Sequence, residues 1–131
     1  MTTPPLLARA LLAAPFIKLG YDAALEPGGR VQLAAERGIP RPELAVRLNG
    51  AAMTVGGLAL AANVLPRSAA AGLVLSMIPT TWAGHAFWEM EDPGARKLNQ
   101  IQFLKNVGLV GGLVAVMAVS RATRTADPKE G

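Results

Sequence analysis

The side chains able to do chemistry in this 131-residue chain are few, and they cluster in and around residues 80–106, TTWAGHAFWEMEDPGARKLNQIQFLKN. His85 is the only imidazole and there is no cysteine at all. Thiolate catalysis, iron–sulfur ligation, disulfide exchange and a CxxC redox pair are therefore excluded within the chain. One histidine cannot supply a bis-histidine haem, and no His/Glu grouping offers the three or four ligands of a metal site. No serine stands in a nucleophile-elbow context, and Gly28 and Gly29 follow Pro27 in a turn rather than a phosphate loop. What remains is recognition chemistry. Lys18, Arg47 and Lys105 could attract an anion or a quinone-like head group, with His85 as the titrating partner. Asp22, Asn49, Thr81, Trp88 and Asn106 complete the candidate ligand-binding set. No catalytic residue and no metal ligand is expected, and the chain is not expected to be an autonomous enzyme.

The elements that must position these groups are apolar. The composition is 51% hydrophobic with mean hydropathy +0.32, above that of an ordinary soluble domain. Residues 48–65 contain no charge, and across residues 68–88 the only titratable side chain is His85. Runs of about 18 or more such residues are long enough to cross a hydrocarbon core of about 30 Å as helix. No segment alternates with period two, which argues against a transmembrane β-barrel. The chain reads as an all-α integral membrane four-helix bundle, up-down-up-down, occupying residues 1–120, with residues 121–131 as a polar, disordered tail.

The first span is expected over residues 6–25, compromised by Arg9, Pro15, Lys18 and Asp22. Residues 26–42 carry six Gly and Pro breakers, with a short amphipathic helix fitting residues 31–37. The second span runs from Glu43 to Leu65, its Gly50, Thr54 and Gly57 marking a packing face. A tight turn at Pro66 and Arg67 then sets the third span antiparallel to the second. That third span is read over residues 68–88, kinked near Pro79, with Thr80 and Thr81 placed to bond a freed carbonyl. After a connection at residues 89–100, the fourth span runs over residues 102–120. Gly108 and Gly112 in it have the GxxxG spacing of a helix-packing seam.

Alternating spans bring every candidate side chain to one end of the bundle, that of the two long connections. Ionisable groups at membrane depth cost about 2.5–3.5 kcal/mol each on insertion scales, so they face the bundle or a cavity and find partners. Lys18 with Asp22 and Glu43 with Arg47 are each spaced i,i+4 and can pair within a helix. Two readings stay open. In one, these are interfacial ion pairs and snorkelling side chains, with Trp82 and Trp88 as belt anchors. In the other they line a partly buried ligand pocket.

The net charge of +4 and pI near 10.1 come from basic residues placed singly at the ends of apolar runs, the flanking pattern of membrane spans rather than a nucleic-acid surface. Before the deeper Lys18, Arg47 and Lys105 are counted, Lys and Arg divide evenly between the two sides and return no decision. Most carboxylates lie on the side of the long connections, which favours termini in the cytoplasm.

Residues 77–113, MIPTTWAGHAFWEMEDPGARKLNQIQFLKNVGLVGGL, resemble the DoxX family of small bacterial membrane proteins. The likeness rests on Thr80, Thr81, His85, Phe87, Trp88, Asp92, Gln100, Phe103, Lys105, Asn106, Gly111, Gly112 and Leu113. It extends more weakly over Arg9, Phe16, Gly20, the turn at Gly38, Ile39 and Pro40, residues 47–50 and residues 56–58. The resemblance implies a multi-pass four-helix protein of the bacterial inner membrane. It further implies association with respiratory or redox assemblies, including a thiosulfate:quinone oxidoreductase and a membrane complex of the oxidative stress response. On that basis the chain is expected to be an accessory subunit of a larger membrane redox complex or the dock for a soluble redox protein. Quinone is then the expected small molecule and a homo-oligomer one expected state. The rival expectation is a purely structural helical subunit with no ligand.

Overall fold

Pro5 starts the first helix: its fixed φ of −61° suits a helix entrance, and its carbonyl accepts the Arg9 N–H at 3.1 Å. In the computed structural model, which describes residues 5–126 and the side chains of residues 5–120, α1 spans Leu6–Leu25. The short α2, Gly29–Glu36, follows. Then come α3, Pro42–Ala61, and α4, Pro66–Gly84. A 3-10 turn at Phe87–Glu89 leads to α5, Pro93–Ala126. The described residues contain no strand, so the architecture is all-α. Residues 121–126, expected to belong to a disordered tail, continue α5 as helix, and residues 127–131 lie outside the described residues.

The expected boundaries of α1 agree with the structure, and α2 occupies the place expected between the Gly and Pro breakers. Others shift for local reasons. The α3–α4 turn lies at residues 62–65, where Asn63 and Leu65 take positive φ values of 59° and 43°, and Pro66 is already the first residue of α4. The third span ends at Gly84 rather than near Trp88, because His85 leaves helical geometry at φ −130° while its N–H still bonds Thr81 O at 2.9 Å. The fourth helix begins nine residues before Gln102, at Pro93. Asp92 caps it by accepting the Ala95 N–H at 2.9 Å, and Pro93 occupies the first turn, where the missing N–H costs nothing.

Helices α1 and α3 pack most closely. A Cβ on Gly50 would lie 2.6 Å from Gly20 O and 2.7 Å from Ala24 N, and one on Gly57 would lie 2.8 Å from Ile17 Cγ1. The small residues of α3 thus form a seam on which α1 rests, and Thr54 Oγ1 donates across it to Ile17 O at 3.4 Å. Arginines fasten the pair at both ends. Arg9 of α1 donates to Ala61 O, at the end of α3, at 3.4 Å. Arg47 of α3 donates to Ala24 O at 2.7 Å and Leu25 O at 3.2 Å, at the end of α1. Each cation meets the negative end of the opposite helix, where unpaired carbonyls need donors. The expected Gly108–Gly112 seam is only half used. Gly112 meets Leu12 of α1, whereas Gly108 has nothing within 4 Å.

Residues Phe16, Leu60, Leu73 and Leu113, one from each long helix, meet in the core. Outside it the molecule is apolar too: Leu7, Val55, Leu75 and Val107, again one per long helix, are more than half exposed. Among the described residues two helices are long and apolar enough to cross a membrane, Pro42–Ala61 and Pro93–Ser120, and only 22% and 11% of their apolar windows are buried. A soluble core helix of such hydropathy would be mostly buried. Helix α1 falls short of that measure through Arg9, Lys18 and Asp22, and α4 through its Ser, Thr, Gly and Pro content.

Candidate functional site

The end of α1, the start of α3, the end of α4 and the first half of α5 lie at one end of the molecule, and each candidate side chain has a definite place there. Lys18 pairs with Asp22 at 2.7 Å on an exposed face of α1. Arg47 is fully engaged, with Glu43 at 3.1 Å besides the two α1 carbonyls. Lys105 is exposed on α5. Among the described residues no hydrogen bond or ion pair joins these three cations, so each is used separately.

The uncharged members of the set do connect helices. Asn49 Nδ2 reaches from α3 to Ser76 O at 3.3 Å and Thr80 Oγ1 at 3.0 Å, and Thr80 Oγ1 donates to the same Ser76 carbonyl at 3.0 Å. Pro79 lacks the N–H that would bond Leu75 O, so the Thr80 hydroxyl, expected on that freed carbonyl, lies instead on the next one, Ser76 O. Thr81, by contrast, serves α5: its Oγ1 accepts from Asn106 Nδ2 at 2.9 Å. His85 Nδ1 and Asn99 Oδ1 lie 3.0 Å apart. Because Asn99 Nδ2 is committed to Ala95 O at 2.9 Å, its oxygen faces His85 and the ring donates from Nδ1. The half-buried histidine is thereby oriented.

Trp88 belongs to an aromatic cluster. Its ring meets Phe87 and Phe103 edge-on at 5.4 and 5.7 Å, and Phe87 meets Phe103 at 5.5 Å, geometry worth about 0.5–1.5 kcal/mol per pair beyond area burial.

Arg37, which is not among the candidate ligand-binding residues, joins this end of the molecule. Its guanidinium lies 2.6 Å from Glu89 and 5.0 Å from the centre of the Trp82 ring, tying the end of α2 to the α4–α5 connection. The hydrogen-bonded Arg37 holds the Glu89 carboxyl below its ordinary range, and Glu89 raises Arg37 further. Nothing local announces this pair, since the partners are 52 residues apart and Arg37 sits in a breaker-rich connection.

Beside the cluster a groove of about 320 Å³ opens between α4 and α5, with Met77, Thr81 and Trp82 on one wall and Phe103, Asn106 and Val110 on the other. That volume is at the lower end of the range for small-molecule sites, about 300–1,000 Å³. Among the described residues no group of three His, Cys, Asp or Glu side chains could hold a metal ion.

No solved structure matches the chain. The inner membrane protein YphA of Escherichia coli (strain K12) is 27% identical over 109 residues, covering 83% of this chain and 77% of that protein. The DoxX family profile matches residues 5–86, from the start of α1 to just past the end of α4. It therefore reaches the motif of residues 77–113 only in part and rests mainly on the first three long helices, including the α1–α3 pair with its glycine seam and arginine fastenings. The chain belongs to the DoxX family and is a membrane protein.

Proposed function

We propose that this protein is a four-span subunit of the bacterial inner membrane, with α1, α3, α4 and α5 crossing up-down-up-down and both termini in the cytoplasm. In this reading it serves a respiratory or redox assembly as a non-catalytic accessory subunit that accepts a quinone-like molecule at its polar end. At about 1.5 Å per residue, α1 and α4 are each close to 30 Å long, the thickness of a hydrocarbon core. Internal pairing of Lys18 with Asp22 and of Arg9 with Ala61 O lowers the cost of placing α1 in lipid. The inner membrane location of YphA supports the compartment.

The observation that carries the ligand reading is the coincidence, at one end, of the oriented His85, the Asn106–Thr81 pair and an open groove walled by aromatic residues. Decylubiquinone titration of nanodisc-embedded protein tests it. Binding should weaken in His85→Ala and Asn106→Leu. Affinity unchanged in both would remove the site.

A second reading, a structural subunit without a ligand, is favoured by one fact: Arg47, Asn49, Thr81 and His85 all spend their polar atoms on other helices or their connections. It prevails if the protein co-migrates with a large membrane assembly whose turnover these same substitutions leave intact.

A further inference from the structure

The α4–α5 groove has walls of a particular kind. Ten residues line it and none of them is ionisable. Both tryptophans of the chain border it, each about half exposed. Arg37 over Trp82 and Glu89 beside Trp88 neutralise one another in their 2.6 Å ion pair, and the exposed Lys105 does not line the groove. An anionic or cationic head group would find no counter-charge among the lining residues, and burying a charge without one is costly. Within the groove the Asn106 amide donates one hydrogen to Thr81 Oγ1, and among the described residues these two side chains make no other hydrogen bond. The second Asn106 N–H, the Asn106 carbonyl oxygen and the Thr81 hydroxyl hydrogen remain available in surroundings where water does not compete.

From this match of an uncharged, apolar wall to a short polar patch we infer that the groove binds an uncharged, chain-bearing lipid drawn from the surrounding bilayer. Its hydrocarbon chain lies between α4 and α5, and a head-group hydroxyl or carbonyl oxygen bonds Asn106 and Thr81. The inference rests on the membrane-spanning reading above and requires nothing of the redox assembly. Trp82 and Trp88 are the only tryptophans and both border the groove, so indole fluorescence reads its occupancy as the saturable part of any quenching.

The test uses the full chain in nanodiscs doped with either of two lipids carrying the same dibrominated acyl chains, whose bromines quench indole on contact. One is diacylglycerol, with an uncharged hydroxyl head; the other is phosphatidylglycerol, with an anionic head. The expected result is saturable quenching by the diacylglycerol, half-maximal at a mole fraction at least about tenfold below that of the phosphatidylglycerol. Val110→Phe, which fills the groove, should abolish the saturable part. Leu104→Phe, at a position that does not line the groove, should leave it unchanged. Should Val110→Phe fail to fold, Asn106→Leu serves in its place, with half-saturation expected to move up by about tenfold through loss of the head-group bond. Quenching that rises linearly and equally for both lipids reports bulk bilayer contact and overturns the inference. So does preference for phosphatidylglycerol, and so does quenching indifferent to both groove substitutions. The probes carry no redox group, so failure here leaves the accessory role standing, while loss of that role would be read in the turnover of the assembly.

Discussion

Gly50 and Gly20 face each other where α1 and α3 approach most closely, and Gly50→Ala measures how much of the fold depends on that seam. The added Cβ would stand 2.6 Å from Gly20 O, 2.7 Å from Ala24 N and 2.9 Å from Ala23 Cβ. Two of these three neighbours are backbone atoms of α1, so no side-chain rotation relieves the contact and the helices must separate. Carbon contacts are optimal at about 3.5–4.0 Å, which sets the displacement on the order of 1 Å. Overpacking of this kind costs about 1–3 kcal/mol, and the rigid surroundings place it at the upper end. Separation also lengthens the Thr54 to Ile17 O bond, already at 3.4 Å, in a class of contact worth about 0.6 kcal/mol in membrane helices. Alanine returns up to about 1 kcal/mol of helix propensity. The net expectation is a loss of about 2 kcal/mol, roughly a thirtyfold fall in the folded-to-unfolded ratio. Reversible unfolding by dodecyl sulfate in mixed micelles, followed by far-ultraviolet circular dichroism, reads this directly. The control is Gly108→Ala, whose new Cβ meets nothing within 4 Å. It should be neutral or stabilising by up to about 1 kcal/mol. If the two variants unfold at the same denaturant concentration, the seam does not bear the load assigned to it.

Other expectations follow from single contacts. Asn49→Ala removes the bonds to Ser76 O and Thr80 Oγ1 and should cost about 0.6–1.7 kcal/mol in the same assay, with Asn49→Gln recovering only part because its amide stands one methylene further out. The Arg37–Glu89 pair should make stability acid-sensitive. The carboxyl is held below its ordinary value of about 4.5, so its contribution is complete above that pH and is lost as the pH falls through the lowered value, while Arg37 stays charged throughout. The melting temperature of Glu89→Gln should accordingly lie below that of the parent at pH 7 and converge with it in acid. Replacing His85 by Ala should cost about 1 kcal/mol through the Asn99 bond, with Asn99→Ala adding little on top, a non-additivity that a double-mutant cycle detects. A reporter fused after Gly131 should be active on the cytoplasmic side, and periplasmic activity would reverse the proposed orientation.

Some of the fold could be read directly from local chemistry. The limits of α1, the place of α2 between Pro27 and Pro40, and the small-residue face of α3 follow from breakers and periodicity, because these act within a few residues along the chain. The start of α5 was also readable: Asp92 followed by Pro93 is a cap and a first turn, ahead of a run, ARKLNQIQF, that a helix accepts. Its polarity made it look like a connection. The reverse holds at Phe87 and Trp88, apolar enough to prolong α4 and yet set in a separate 3-10 turn, because they pack on Phe103 of α5 rather than along their own helix.

The candidate site divides along the same line. Hydropathy and alternation were enough to bring Lys18, Arg47, His85 and Lys105 to one end, since direction reverses at each turn. Which of them face one another depends on helix rotation and on distance across the bundle, and no spacing along the chain encodes either. Packing therefore decided that Arg47 caps α1 instead of meeting Lys105, and that Asn106 finds Thr81. It also brought Arg37 and Glu89, 52 residues apart, into an ion pair beside the groove. Helix type, length and exposure to lipid come from near neighbours and composition. The groove exists only because α4 and α5 lie side by side, with their aromatic residues holding the opening between them.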